Sequence, residues 1–149
     1  MNAKKEQKIS FKIDKIETES FSLNLLGISS FTRDSVNFNF SLKLEINPNK
    51  NRLIFALGLI VTPKTNKDKQ IGNLDIKVHF LIKDMSNLVE VEKEKENIRL
   101  PNVLMITFLS IVISTARGIW SEKVRGTKLE KAIIPLLDPK KFLDNPSQS

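Results

Sequence analysis

Few residues in this chain have side chains suited to chemistry. Cysteine is absent from all 149 residues, which removes disulfides, zinc–thiolate sites, iron–sulfur clusters and thiol catalysis. One histidine, His79, is too few for a multi-histidine metal centre or an ordinary histidine relay. His79 alternates with Val78 and Phe80 and shares its parity with Asp75 and Lys77, so it reads as a polar-face residue of a strand. Asp75 is four residues away, roughly 13 Å along a strand at about 3.3 Å per residue, too far for an acid–base pair. The five glycines (Gly27, Gly58, Gly72, Gly118, Gly126) are scattered, so no phosphate-cradling loop forms. The carboxylates show no grouping beyond that of surface acids. No catalytic residue, metal ligand or cofactor is assigned, and the chain is expected not to be an enzyme.

Charge offers a different chemistry. Lys and Arg number 24 against 17 Asp and Glu, a net charge of +7. The basic residues are spread over the N-terminus, the 62–70 loop and the 123–141 segment. Lysine outnumbers arginine 19 to 5, whereas bidentate phosphate and guanine recognition favours arginine. There is no tyrosine, the phenylalanines fall mostly at inward strand positions, and the single tryptophan lies in an apolar helix. Stacking platforms for bases are therefore missing. Nucleic acid is not an expected partner, and a basic nucleic-acid-binding module stays as the lower alternative.

The elements that must position these residues follow from hydrophobic period. Four stretches alternate with period two, the mark of strands with one buried face. In the first, Ile9, Phe11 and Ile13 share a parity that Ile16 breaks and Phe21, Leu23 and Leu25 resume, which calls for a bulge near 15–18. The second is the cleanest, Val36 to Ile46. The third, Leu53 to Val61, is apolar on both faces and is read as central or covered twice. The fourth runs from Leu74 to Ile82. Asn47-Pro48-Asn49-Lys50-Asn51 is a turn by composition. The connector from Leu25 to Phe31 is greasy for a loop, either core under a crossover or part of a binding surface. The run from Glu90 to Glu96 reads as a solvated connector or strand end.

A helix follows from Pro101 to about Val124, with Gly126 placed as its cap. Leu104, Phe108, Ile111, Thr115 and Ile119 form one stripe; Met105, Leu109, Val112, Ala116 and Trp120 form a second. A surface helix needs about 100° of apolar face, and this one has more. The excess calls for another subunit, a second helix or a ligand. Its unbroken apolar heart, Val103 to Ile113, is shorter than the roughly 20 residues of a membrane span, so no membrane insertion is expected. With no signal-peptide pattern at the N-terminus, the protein is expected to be cytoplasmic. Asp138 and Pro139 open a short last helix. Strands followed by helices make the fold α+β.

The C-terminal third carries an ordered set: Pro101-Asn102-Val103-Leu104, Thr115-Ala116-Arg117, Arg125-Gly126-Thr127, Ile133-Ile134-Pro135 and Phe142. This resembles the closing pattern of the SecB-type protein-export chaperones. The version Ser114-Thr115-Ala116-Arg117-Gly118 is closer to the divergent SecB-like branch, some of whose members serve toxin–antitoxin systems. The resemblance implies one SecB-like domain over 1–149, with strands in 8–84, helices in 101–143 and a frayed tail from 144. It implies a four-stranded antiparallel sheet with one long helix packed on it and a short C-terminal helix. It further implies a homo-oligomer, a tetrameric dimer of dimers, acting as an ATP-independent holdase on unfolded or pre-secretory polypeptides in protein export. The alternative is a dedicated adaptor for one partner such as an antitoxin.

By the same resemblance, the client groove falls at Leu26, Ile28 and Phe31 of the crossover and at Trp120, Val124 and Leu129. Met105, Leu109, Val112 and Ala116 fall at the oligomer interface, and Arg117, Gly126 and Pro135 are structural. Two departures stand out. Export chaperones of this type are acidic, with an acidic sheet surface for the secretion motor ATPase; the outward residues here (Lys43, Glu45, Asp75, Lys77) are mixed in sign, which speaks against that partner. The family's Ala-Arg-Glu is Ala-Arg-Gly here.

Overall fold

The computed structural model describes residues 9–27, 31, 33–87, 90–92 and 97–144. Strands β1 (Phe11–Leu23), β2 (Val36–Asn47), β3 (Arg52–Pro63) and β4 (Gly72–Ile82) form one sheet in the order β1-β4-β3-β2. All pairings are antiparallel. Strands β2, β3 and β4 are a meander, with β1 and β2 at opposite edges of the sheet. Two three-residue strands, β5 (Glu90–Glu92) and β6 (Asn97–Arg99), pair as a separate ladder, where the sequence suggested a solvated connector or strand end. Helix α1 spans Asn102–Lys123 and helix α2 Pro139–Asp144.

The parity break in β1 has a definite form. The register against β4 shifts twice, once between Ile13 and Lys15 and again between Thr18 and Ser20. The first bulge moves Ile16 onto the face of its partner Val78, and the second returns Phe21 opposite Leu74. Two extra residues thus keep every apolar side chain of β1 on one face. The turn from β2 to β3 depends on asparagine: Asn47 accepts from Lys50 N at 3.3 Å, and Asn51 adopts a left-handed φ of 54°. Asn51 Oδ1 also accepts from Met85 N at 3.1 Å, tying this turn to the chain after β4.

The core lies between the sheet and α1. Leu53, Phe55, Leu57, Leu59 and Val61 of β3 face it, with Leu74, Ile76, Val78, Phe80 and Ile82 of β4, all buried. At one end Phe11, Phe80 and Phe108 interlock, with ring centroids 4.6–6.2 Å apart. At the other, Phe21 and Phe38 meet the edges of Trp120. Gly72 makes room for that indole: a Cβ there would lie 3.0 Å from Trp120 and 3.1 Å from Leu23.

Helix α1 is long and apolar enough to cross a membrane by length and composition, yet it packs on the sheet. Its buried residues are Leu104, Phe108, Leu109, Val112, Ile113, Ala116 and Trp120. The two stripes read from the sequence therefore do not divide between sheet and neighbour. Leu109, Val112 and Ala116, assigned to an oligomer interface, are buried in the chain's own core, and Met105 is half-buried. The chain itself supplies the cover on the helix flank. Trp120 Nε1 donates to Ala132 O at 2.8 Å, while Arg117 Nε and Nη2 donate to Ile134 O and Pro135 O at 3.0 and 3.1 Å. Three carbonyls of the 129–137 segment are thus latched to α1. Gly126, at φ 77°, turns the chain into that segment two residues beyond the helix cap Val124.

Candidate functional site

Among the described residues, strand β2 pairs with β3 on one side only, so every second residue of its twelve offers its N–H and C=O outward along an edge that none of them pairs with. A cleft of about 850 Å³ follows this edge. Its lining is mixed: half-buried Phe38, Pro135 and Leu137 and the exposed Ile60 stand beside Asn37, Asn39, Ser41, Thr62 and Asp75, with Val36, Phe40 and Leu59 buried behind them. The β2 part runs from Val36 to Ser41, roughly 17 Å at about 3.4 Å per residue. Phe142 of α2 packs edge-on to Phe40, with centroids 6.0 Å apart. At the Val36 end, Lys64 N donates to Ser35 O at 3.0 Å and brings Lys64 and Lys67 to the rim. Asn39 bridges the outer face, donating to Ile60 O at 3.3 Å and Thr62 Oγ1 at 3.5 Å.

The residues expected in the groove are only partly brought together. Phe31 is half-buried against the core, and its N–H donates to Lys128 O at 3.0 Å, so the crossover and the chain after α1 do meet. Leu26 is 86% exposed at the turn after β1. Ile28 lies outside the described residues. Trp120, Val124 and Leu129 are fully buried: they lie in the core and present no surface to a ligand. The latch is the physical reason, because the segment that would have to stand away from these side chains is hydrogen-bonded over the flank of the helix. Arg117 closes the latch, and Pro135, expected to be structural, stands on the cleft wall. Phe38, Phe40 and Leu137 were missed. The alternation of β2 shows Phe38 and Phe40 facing inward, but only the sheet order reveals that the strand is an edge.

The outer sheet face holds a polar network on the β1–β4 side. Arg52 donates to Asp14 at 2.9 Å and to His79 Nδ1 at 3.2 Å, and His79 Nε2 lies 3.3 Å from Glu17. Arginine only donates, so Nδ1 accepts and the ring proton sits on Nε2, facing Glu17. Hydrogen bonds from Lys15 and then from His79 hold the Glu17 carboxyl below its usual value. A hydrogen bond from Lys77 to Glu19, at 2.9 Å, raises the Lys77 ammonium above its own. Among the described residues no group of three or more His, Asp or Glu could hold a metal ion.

The sequence matches no family model and no curated protein. Among solved structures, the chain is similar to the SecB-like chaperone of Mycobacterium tuberculosis in complex with a ChAD peptide from the HigA1 antitoxin. The likeness has a TM-score of 0.56 at 10% identity and covers 85% of this chain and 89% of that one. The fold is therefore SecB-like.

Proposed function

We propose that the protein is a polypeptide-binding chaperone or adaptor that takes an extended apolar segment along the β2 edge. The observation that carries this reading is the cleft itself: among the described residues, an unpaired strand edge beside half-buried Phe38, Pro135 and Leu137. An extended chain laid there gains main-chain hydrogen bonds from the edge, while its alternate side chains meet the apolar wall. Binding of this kind uses burial and backbone pairing, so it needs no ATP, cofactor or active site. The SecB-like structure holding an antitoxin peptide supports polypeptide as the ligand class. It equally favours the second reading, a dedicated adaptor for one partner.

A homo-oligomer, as a dimer of dimers in the cytoplasm, belongs to the same proposal. The outward face of α1 presents Val103, Thr107, Ser110, Ser114 and Gly118. The Thr107 and Ser110 hydroxyls donate to Val103 O and Ile106 O, one turn back. Thr107 and Ser110 can therefore be dried by a neighbouring helix without stranding their hydroxyls. The outer sheet face, with Lys77–Glu19 and Arg52–Asp14 pairs, carries no acidic field for a secretion motor. Mass-resolved size exclusion with and without an unfolded client tests the proposal. Co-elution of client with an oligomer and suppression of its aggregation are expected; a chain that neither retains client nor slows its aggregation overturns the holdase reading. One dominant species in a pull-down selects the adaptor.

A further inference from the structure

A second hollow, of about 360 Å³, lies at the other end of the sheet, against the turn from β2 to β3. Three chain segments meet there. Phe11 and Lys12 of β1 pair with Ile82 and Leu81 of β4. Lys83 N donates to Ser10 O at 2.9 Å, and Ile82 N donates to Asn51 O at 2.9 Å. This convergence sets Lys12, Lys50 and Lys83, one from each segment, in the lining of one hollow. Among the described residues they are the only charged groups that line it, and none of the three has a carboxylate partner. Asp14, two residues beyond Lys12, is taken by Arg52 at 2.9 Å and stands outside the lining, as does Asp84.

The fold also uses up acceptors here. Ser10 O and Asn51 O receive the two bonds just given, and Asn51 Oδ1 accepts from Met85 N at 3.1 Å. With its oxygen turned to Met85, the Asn51 amide has Nδ2 left to donate. The lining therefore offers three ammonium groups, one amide NH₂ and the Ser10 hydroxyl, all able to donate. Like charges gathered on one hollow repel, and an anion among them turns that repulsion into attraction. We propose that this hollow binds a small multivalent oxyanion of the phosphate class. Lysine meets phosphate as a point charge, and three such charges match a di- or trianion such as pyrophosphate. The volume lies at the lower end of small-ligand pockets. The hollow shares no lining residue with the β2 cleft, so the proposal stands apart from the polypeptide reading. A bound anion ties the start of β1, the β2–β3 turn and the chain after β4 together, and stabilises the fold by mass action.

The test is thermal unfolding and an NMR titration with sodium pyrophosphate, against sodium chloride at matched ionic strength. A saturable rise in melting temperature is expected, with amide shifts gathered at residues 10–12, 50–51 and 81–83. All three lysines are exposed, so K12Q/K50Q/K83Q keeps the fold; its affinity is expected to fall roughly tenfold, on the scale of three exposed ion pairs. K131Q/K140Q/K141Q removes the same three charges elsewhere and is expected to bind as the parent does. Equal losses in the two variants, or no loss in the first, overturn the proposal, because net charge or another site then accounts for binding. Chloride acting as well as pyrophosphate, or no saturable response, overturns it too. Acidic lipids carry the same headgroup chemistry, so vesicles of phosphatidic acid in phosphatidylcholine form a separate arm: sedimentation with them and no response to pyrophosphate overturns the assignment to a free anion.

Discussion

Arg117→Ala tests whether the latch shapes the cleft. The guanidinium makes two hydrogen bonds to backbone carbonyls, at 3.0 Å to Ile134 and 3.1 Å to Pro135. Bonds from a charged donor contribute about 1.5–3 kcal/mol each. Both carbonyls regain water when the segment lifts, and neighbouring Leu136 is already 91% exposed, so the low end applies and the pair holds the segment by about 3 kcal/mol. At 1.4 kcal/mol per tenfold, that raises opening of the 129–137 segment by roughly 140-fold. The sheet and the phenylalanine cluster do not depend on these bonds, so the loss is local rather than global. Hydrogen exchange is the assay. Amides in 129–142, including Ala132, whose N–H bonds to Leu129 O, speed up by that factor while β3 and β4 do not. Affinity for an apolar peptide falls in parallel, because Pro135 and Leu137 lose their place on the wall. Arg117→Lys recovers only part, since one ammonium lacks the fork that spans two carbonyls. Unchanged exchange in 129–142, or uniform acceleration over the whole chain, refutes the latch.

Three further outcomes are expected. Gly72→Ala sets a methyl 3.0 Å from Trp120 and costs about 1–3 kcal/mol by overpacking; thermal unfolding measures it, and unchanged stability removes the close approach. Glu17 has its folded pKa below its ordinary value of 4.5, so its contribution to stability is present above that value and is lost as pH falls through the lowered one; Glu17→Gln flattens the acid limb of a stability–pH curve, and an identical slope contradicts the assigned bonds. Ser114→Arg on the outward face of α1 breaks the oligomer while leaving the monomer's melting temperature nearly unchanged; native mass spectrometry showing an intact assembly rules that face out.

The fold was largely legible because burial is written in period two along β2 and β4, and the irregular β1 showed through Ile16 that its register slips, though as one bulge rather than two. The helix was legible as an element but not in its partners. A wide apolar arc shows that cover is needed, yet the local sequence does not say that Arg117 and Trp120 hold the chain's own 129–137 segment as that cover. Trp120, Val124 and Leu129 were thereby placed in a groove when they fill the core. The cleft was the least legible feature, because it depends on β2 being an edge. That follows from β1 crossing over to pair with β4, and no residue of β2 records it.

The most direct test of the central claim is backbone hydrogen exchange with and without a saturating apolar peptide. Binding along the free edge predicts slowed exchange at alternate amides of Val36–Asn47, with β4 unchanged and the outer-face network of Arg52, His79 and Glu17 undisturbed. Protection confined to β1, to the outer sheet face or to α1, with none in β2, contradicts the account.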